Sequence, residues 1–190
     1  MKVIAICGSP RKKGNTFTML NEILAGAAEK GAETRMIHLN DLNMKGCQGC
    51  LWCRENLGKC AYKDDFQDVL KEMRECDAVA LGTPIYTFNV TGQFKCFLDR
   101  CFCLVDHIVE EDTFKSVLPD GKKFAIVTSQ GDENPEAYAH IINYLQMLMG
   151  FLSGSPLEVI TQAGTEDKSD AQKDSALMQK CREAGHSLVS

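Results

Sequence analysis

The sequence predicts a doubly wound α/β fold in which five parallel strands, in the order 2-1-3-4-5, form one sheet covered by helices on both faces. Short, wholly apolar runs predict strands that are buried on both sides, as in parallel sheets. Segments with apolar residues at helical spacing separate these runs, so strands and helices alternate. The chain has 190 residues, 44% hydrophobic and 25% charged, which predicts a single domain over residues 1–190.

The first half of the chain contributes three of the strands. Residues 3–7 are apolar and end at Gly8, which predicts the first strand. Apolar residues then recur at helical spacing as far as Ala27, and Gly31 marks a helix end just beyond them. A second strand, a second helix and an apolar third strand follow, with predicted ranges of 35–39, 66–73 and 78–81.

The second half completes the alternation. Predicted helices cover residues 93–105, 136–149 and 169–187, and predicted strands cover residues 124–128 and 157–160. Two connections are longer than such units require. Residues 106–122 are rich in charge, which predicts a solvated flap or a subunit contact. Residues 40–64 form a cysteine-rich insertion after the second strand.

Charge and hydropathy argue against several classes of partner. There are 21 Lys and Arg residues against 26 Asp and Glu, and the net charge of −5 predicts no nucleic-acid partner and no anionic membrane. The longest uncharged stretch, residues 137–157, contains many polar side chains, so we expect no membrane span. Only five apolar residues follow Lys2, too few for a signal peptide, so we expect a cytoplasmic protein with reduced cysteines.

Glycine, hydroxyl and basic residues fill the loop between the first strand and the first helix. A phosphate held there would meet free backbone N–H groups and the positive end of the helix dipole. Gly8 and Gly14 lie six residues apart, which does not fit a Walker loop, and no Gly-x-Gly fingerprint for dinucleotides occurs here. Flavodoxin-like proteins hold the phosphate of FMN in such a loop; a basic turn that only caps the helix is the alternative. The candidate phosphate-binding residues are Ser9, Arg11, Lys13, Gly14, Asn15 and Thr16.

Two further loops should reach the same edge of the sheet. Ligands of open α/β sheets lie at the carboxyl ends of the strands, near the point where strand order reverses. The loop after the third strand offers flat apolar surface and backbone donors for a flavin ring, and the loop after the fourth strand offers a polar wall. Ordinary packing or a subunit interface is the alternative for the aromatic residues. The candidates are Thr83, Pro84, Ile85, Tyr86, Phe88, Asn89, Gln130 and Gly131.

Four cysteines of the insertion, Cys47, Cys50, Cys53 and Cys60, form a C-x2-C-x2-C-x6-C run. Three thiolates at three-residue spacing and a fourth slightly later favour a [4Fe-4S] cluster. Structural zinc and four bare thiols in a shielding loop are the alternatives. The other six cysteines fit core packing, although a redox or second metal role stays open for three of them, Cys96, Cys101 and Cys103.

Four motifs carry a family resemblance: Gly8-Ser9-Pro10-Arg11 with Gly14-Asn15-Thr16; the Cys47 to Cys60 run followed by Asp64-Asp65; Thr83-Pro84-Ile85-Tyr86; and Lys95 with Phe97-Leu98-Asp99-Arg100. Together they resemble the flavodoxin-like NADPH-dependent FMN reductases and, within them, the iron-sulfur flavoproteins. The resemblance covers about residues 1–160. It implies that Ser9, Arg11, Asn15 and Thr16 hold the FMN phosphate, that residues 84–89 line the isoalloxazine ring, and that the four cysteines ligate the cluster.

Three functions remain open on the sequence. The leading hypothesis is an iron-sulfur flavoprotein-like redox protein that passes electrons between a [4Fe-4S] cluster and FMN, with a small molecule or a ferredoxin-type protein as electron donor or acceptor. The second is a metal-free NAD(P)H-dependent reductase of FMN or quinones. The third is a non-catalytic flavin-binding or redox-sensing module. The resemblance also implies a homodimer or homotetramer, and three aromatic residues, Phe88, Phe94 and Phe102, suit either an interface or the core.

Overall fold

The structure, a computed structural model, describes residues 1–108, 111–153 and 157–190. Its strands are β1 (Lys2–Cys7), β2 (Glu33–His38), β3 (Ala78–Pro84), β4 (Val105–Ile108), β5 (Thr113–Ser116), β6 (Lys123–Ser129) and β7 (Leu157–Gln162). Its α-helices are α1 (Asn15–Glu29), α2 (Phe66–Glu75), α3 (Gly92–Arg100), α4 (Ala139–Ser153), α5 (Asp170–Lys173) and α6 (Ser175–Val189).

Five parallel strands form the central sheet in the order β2-β1-β3-β6-β7. The predicted fourth and fifth strands are β6 and β7, so the predicted order 2-1-3-4-5 is confirmed. Cys7 of β1 pairs with Gly82 of β3, and the N–H of Gly8 donates to the carbonyl of Gly82 at 2.7 Å. The loops that follow β1 and β3 therefore leave the sheet side by side.

Side chains of the buried strands alternate between two cores, one on each face of the sheet. On one face Ile4 and Ile6 of β1 pack with large residues of α2, α3 and α4. On the other face Val3 and Ala5 pack against α1 and α6. That second face carries mainly small side chains, which lets its helices lie close to the sheet.

Helices α1 and α6 approach so closely that glycine is required on each of them. A Cβ atom added to Gly26 would lie 2.1 Å from the backbone oxygen of Arg182, and one added to Gly185 would lie 2.1 Å from that of Ile23. Both obstacles are backbone atoms, which cannot swing aside as a side chain can. The two glycines thus allow the short distance between α1 and α6.

Two predicted helices differ from the observed ones. The helix predicted over 93–105 ends at Arg100; a 3-10 turn, Cys101–Leu104, follows, and Val105 begins β4. Cys101, Cys103 and Leu104 are all buried there, a spacing that a single α-helical face does not provide. The helix predicted over 169–187 is interrupted at Asp174, whose carboxylate accepts the N–H of Leu177 at 2.9 Å and caps α6.

The charged connection predicted as a flap or subunit contact contains an antiparallel hairpin. Val105 pairs with Ser116 and Ile108 with Thr113. Residues 109 and 110 of that prediction lie outside the described residues. The cysteine-rich insertion lies between β2 and α2, as predicted, and contains only short 3-10 turns among its described residues. Among the helices that the structure describes, none is long and apolar enough to cross a membrane.

Candidate functional site

A cavity of about 270 Å³ opens at the carboxyl ends of the parallel strands. Its lining residues come from the ends of β3 and β6, from the start of α1 and from the loops that follow β1, β3, β6 and β7. The β1 and β3 loops flank the point where strand order reverses, and doubly wound sheets bind their ligands at this edge. The cavity is therefore the leading candidate for a cofactor site.

The loop after β1 presents donors to this cavity. Helix α1 begins without a side-chain cap on Gly14, which leaves the N–H groups of its first turn without intrahelical partners. Ser9 is 3% exposed and Thr16 1% exposed. The Ser9 hydroxyl accepts the N–H of Arg11 at 3.1 Å, and the Thr16 hydroxyl lies 2.9 Å from that of Ser129. These hydrogen bonds fix both hydroxyls at the N-terminus of α1, where the helix dipole favours an anion.

The side chain of Asn15 is largely engaged within the protein. Its amide donates to the carbonyl of Asp167 at 2.8 Å, and its amide oxygen accepts the N–H of Ala171 at 3.0 Å. These bonds join the start of α1 to the loop after β7. One N–H of the amide is left for a ligand, so the prediction that this side chain holds phosphate stays a prediction.

A strained turn follows β3. Tyr86 and Asn89 exchange backbone hydrogen bonds of 2.8 and 3.1 Å around Thr87 and Phe88. Both central residues have positive φ angles, 47° and 63°, which residues other than Gly, Asn and Asp seldom adopt. Tyr86 is 42% exposed and Phe88 71% exposed, so two aromatic rings stand at the surface beside the cavity. Strain of this kind accumulates at binding sites, where surrounding structure holds it in place.

The structure brings most of the predicted cofactor-binding residues to the cavity. Those that line it are Ser9, Arg11, Gly14, Asn15, Thr16, Pro84, Ile85, Tyr86, Gln130 and Gly131. Four others lie outside its lining: Lys13 is exposed, Phe88 points to the surface, and the side-chain oxygens of Thr83 and Asn89 accept the backbone N–H groups of Thr91 and Val90. For these four residues a role in binding stays a prediction.

Four lining residues are not among the candidate binding residues: Ser129, Thr165, Glu166 and Lys168. Ser129 is the last residue of β6, and the other three follow β7. Their position after the fifth predicted strand was the available signal, because all parallel strands end at this edge. The lining thus carries two cations, Arg11 and Lys168, and one carboxylate, Glu166.

A second cavity brings the four predicted metal ligands together. Cys47, Cys50, Cys53 and Cys60 all border it, and so does a fifth cysteine, Cys103. All ten cysteines of the chain are free thiols. Within the described part of the chain, however, no three Cys, His, Asp or Glu side chains are grouped closely enough to hold a metal ion. The prediction of a cluster is therefore neither confirmed nor contradicted by side-chain positions.

The backbone of the insertion turns sharply between its cysteines. Gly49 and Leu51 have positive φ angles of 64° and 56°, and they separate Cys47, Cys50 and Cys53. The N–H of Gly49 points at the sulfur of Cys47, 3.5 Å away. Backbone N–H groups directed at cysteine sulfur are one of the means by which proteins tune iron-sulfur centres.

Arg100 of α3 anchors the insertion from the inside. Its guanidinium donates to the carboxylate of Asp64 at 2.6 Å, to the sulfur of Cys60 at 3.3 Å and to the carbonyl of Lys45 at 3.1 Å. It also lies over the ring of Phe66, 4.2 Å from the centroid. Burial alone would raise the pKa of Asp64, but the hydrogen bonds from Arg100 and from backbone N–H groups outweigh it and lower that pKa.

Burial raises the pKa values of several other thiols. It raises the pKa of Cys7 to about 11 and the pKa values of Cys103 and Cys181 to about 12, and nearby Cys60 and Cys53 add to the effect at Cys103. Cys7, Cys76 and Cys181 are buried in the core, as predicted. Cys103 is buried too, but it also borders the cavity of the four cysteines. Its position in a 3-10 turn, which the helix prediction did not include, accounts for that difference.

Comparison with known proteins places the chain among flavin enzymes. The family model described as NADPH-dependent FMN reductase matches residues 1–165. An iron-sulfur flavoprotein of Methanocaldococcus jannaschii is 46% identical over 100 residues, which cover 53% of this chain and 51% of that protein. The chain therefore matches about half the length of this relative.

Two solved structures share the fold across nearly the whole chain. An FMN-dependent NADH-azoreductase from Bacillus anthracis in complex with FMN superposes with a TM-score of 0.71 at 15% identity and covers 100% of both chains. An NAD(P)H:quinone oxidoreductase from Methanothermobacter marburgensis superposes with a TM-score of 0.73 at 16% identity, covering 99% of this chain and 98% of its own. These likenesses confirm the predicted flavodoxin-like fold.

Proposed function

The chain belongs to the NADPH-dependent FMN reductase family, and on that premise we propose that it is a flavin-dependent oxidoreductase that binds FMN in the cavity at the carboxyl ends of the strands. The observation that carries the proposal is the first turn of α1, uncapped on Gly14, facing a cavity that Arg11 and two buried hydroxyl residues also line. This arrangement suits a phosphate monoester.

The residues present fit the phosphate and the ring of FMN. Arg11 suits the phosphate because a planar guanidinium can donate two hydrogen bonds to its oxygens. Ser9 and Thr16 supply hydroxyls already held in place by neighbours. At 270 Å³ the cavity is near the lower limit for small-molecule sites, so the ring would extend over Tyr86 and Phe88 at the surface. FMN, when bound, supplies transfer of one or two electrons, and the protein positions it.

The finer proposal is that Cys47, Cys50, Cys53 and Cys60 hold a [4Fe-4S] cluster that exchanges electrons with FMN. Three features support it: the four thiols border one cavity, Arg100 donates a hydrogen bond to Cys60, and the similar protein of M. jannaschii is named an iron-sulfur flavoprotein. Binding would require the four side chains to turn inward around the metal, since they are not grouped for it as they stand. A ferredoxin-type protein or a small molecule would then serve as the electron donor or acceptor.

Cofactor analysis after purification without oxygen tests both levels of the proposal. We expect about four irons and four sulfides per subunit together with released FMN. Cys47→Ser should lose iron and keep FMN. Cys181→Ser is the control, because Cys181 packs in the core on the opposite face of the sheet from the insertion, and it should keep both. Iron content unchanged in Cys47→Ser would reject the ligand assignment, and a protein that binds no FMN would reject the proposal as a whole.

A second candidate is a metal-free NAD(P)H-dependent reductase of FMN or quinones. The description of the family model, which names NADPH as the reductant, favours it. Rapid bleaching of bound FMN by NADPH in an iron-free preparation would support this alternative. Slow bleaching by NADPH and rapid bleaching by a reduced ferredoxin would support the first.

The proposal includes self-association into a homodimer or homotetramer. Large apolar side chains, including Phe88, Phe102, Phe114 and Phe151, are 39–71% exposed. Exposed aromatic residues in this number are typical of interfaces. Phe94, which the sequence left open between interface and core, belongs to the core. Analytical ultracentrifugation of the FMN-bound protein would measure the number of subunits.

A further inference from the structure

The loop after β7 forms a wall of the proposed FMN cavity that lies at and beyond the end of the family match at residue 165. Hydrogen bonds from this loop join it to the neighbouring loop after β6. The N–H and the hydroxyl of Thr165 both donate to the carbonyl of Gln130, at 2.9 and 3.0 Å. The N–H of Gly164 donates to the carbonyl of Asp132 at 2.8 Å. The wall is therefore part of the rigid edge of the sheet.

Two carboxylates fix the shape of the loop from within. Asp170 accepts the N–H groups of Glu166 and Asp167 at 2.9 and 2.6 Å. Asp167 accepts the N–H and hydroxyl of Ser169 at 2.9 and 2.6 Å. Because these bonds need no ligand, the loop is already shaped in the free protein, and binding has little further ordering cost.

Asn15 joins this preformed loop to the phosphate-binding end of α1. Its amide group bridges the carbonyl of Asp167 and the N–H of Ala171, on either side of Lys168. Lys168 is exposed, lines the cavity and forms no ion pair within the part of the chain that the structure describes. Arg11, the other cation of the lining, comes from the opposite loop.

Charge indicates what Lys168 could bind. A phosphate monoester carries about 1.5 to 2 negative charges at neutral pH, more than one guanidinium balances. Glu166 also lines the cavity, and its carboxylate suits hydroxyl donors, such as those of a ribityl chain, rather than an anion. The two neighbouring side chains therefore fit the two polar parts of one flavin nucleotide.

We propose that Lys168 is a second phosphate-binding cation that makes the site selective for FMN over riboflavin, and that Asn15 is the positioning residue that holds it there. This inference rests on the proposed function, since it assumes that the cavity holds FMN. It assigns a role to Lys168, which lies beyond the family match, and to the amide of Asn15, most of whose hydrogen bonds are made within the protein.

Titration of flavin-free protein with FMN and with riboflavin, followed by quenching of flavin fluorescence, tests the inference. Lys168→Met should weaken FMN binding about tenfold, the loss of one charge-assisted contact, and leave riboflavin binding unchanged. Lys168→Arg should retain most of the affinity for FMN. Lys180→Met, which removes an exposed lysine from α6, is the charge-matched control and should bind both flavins normally.

Asn15→Ala provides the second readout. It should reduce the preference for FMN over riboflavin and raise hydrogen exchange at residues 164–170. In the Lys168→Met background it should cause a smaller loss of that preference than in the wild type, because the two changes share the contact of Lys168. Equal FMN affinity in Lys168→Met and Lys180→Met would overturn the inference and leave the proposed function intact. Wild-type protein that binds neither flavin would instead overturn the proposed function.

Discussion

The guanidinium of Arg100 donates a hydrogen bond to the sulfur of Cys60 across 3.3 Å, from a helix to a loop 40 residues earlier in the chain. The same group is ion-paired with Asp64, so one buried cation holds both ends of the segment between them. Hydrogen bonds to cysteine sulfur are among the contacts by which proteins tune iron-sulfur centres. Arg100, which anchors the insertion, therefore also contacts Cys60, one of the proposed cluster ligands.

Replacement of Arg100 should destabilise the protein and loosen the insertion. Arg100→Met leaves the carboxylate of Asp64 without its cation, and we expect a loss of about 2–4 kcal/mol in the free energy of unfolding by urea. Arg100→Lys should recover only part of the lost stability, because one ammonium group cannot reach all the acceptors that the guanidinium contacts. Arg54→Met is the control, since Arg54 lies over the ring of Phe102 at 5.5 Å and forms no ion pair in the described part of the chain. A loss in Arg100→Met no larger than in that control would contradict the anchoring role.

The ion pair predicts an acid-dependent contribution to stability. The folded state lowers the pKa of Asp64 below its ordinary 3.8, so the ionised carboxylate stabilises the fold at neutral pH. That contribution falls as the pH drops through 3.8 towards the lower folded pKa. The difference in unfolding free energy between wild type and Asp64→Asn should be largest near neutral pH and shrink in acid. The exposed Asp120→Asn should show no such change; a constant difference for Asp64→Asn would refute the linkage.

Replacement by alanine should change stability in opposite directions at Gly185, where α6 contacts α1, and at Gly150, which lies in open space on α4. Gly185→Ala places a Cβ 2.1 Å from the backbone oxygen of Ile23 and should cost at least about 2 kcal/mol, because neither helix can yield locally. Gly150→Ala, in α4, meets nothing within 4 Å and should stabilise the protein by up to about 1 kcal/mol through helix propensity. Thermal unfolding of both variants measures the contrast, and similar melting temperatures would show that the helices are not so close.

Thiol reactivity should divide the cysteines by burial. In iron-free native protein at pH 8, iodoacetamide should label Cys47 and Cys50 first, because both are exposed. Cys103 and Cys181 should stay unlabelled, since burial raises their pKa values to about 12 and blocks access. Peptide mass spectrometry reads the order, with urea-unfolded protein as the control in which all thiols react. Protection of Cys47 and Cys50 after anaerobic reconstitution with iron and sulfide would add support for their role as ligands.

The sequence was sufficient to predict the sheet and most of the proposed FMN site. Strands such as β1 and β3 are apolar without interruption, and parallel strands end at a common edge, so the order of strands alone predicts that residues as distant as Ser9 and Gln130 lie together. Lys168 was missed because its loop carries no phosphate motif, although that loop follows a parallel strand that ends at the same edge of the sheet. Its place in the cavity depends on hydrogen bonds from Asn15 and Thr165 that no local pattern reveals.

The end of α3 shows a different limit of sequence reasoning. Cys101 and Leu104 continue the helical spacing of α3, so the pattern alone predicts a longer helix. The chain turns into a 3-10 segment instead, because Cys103 is also buried and its carbonyl accepts the N–H of Gly58 from the insertion. Tertiary contact with a loop far away in sequence thus overrides the local period, and it brings a fifth thiol to the cavity of the four cysteines.

Phe88 allows backbone strain and ring contact to be measured separately. Its φ angle of 63° disfavours any side chain, so Phe88→Gly should be about 1 kcal/mol more stable than Phe88→Ala, although glycine is the more flexible residue. Urea unfolding of the two variants measures the strain, because both lack the exposed ring. If the ring of Phe88 also contacts bound flavin, both variants should lose the same share of FMN affinity. Equal stability would show that the turn is unstrained, and unchanged affinity would place Phe88 outside the flavin site.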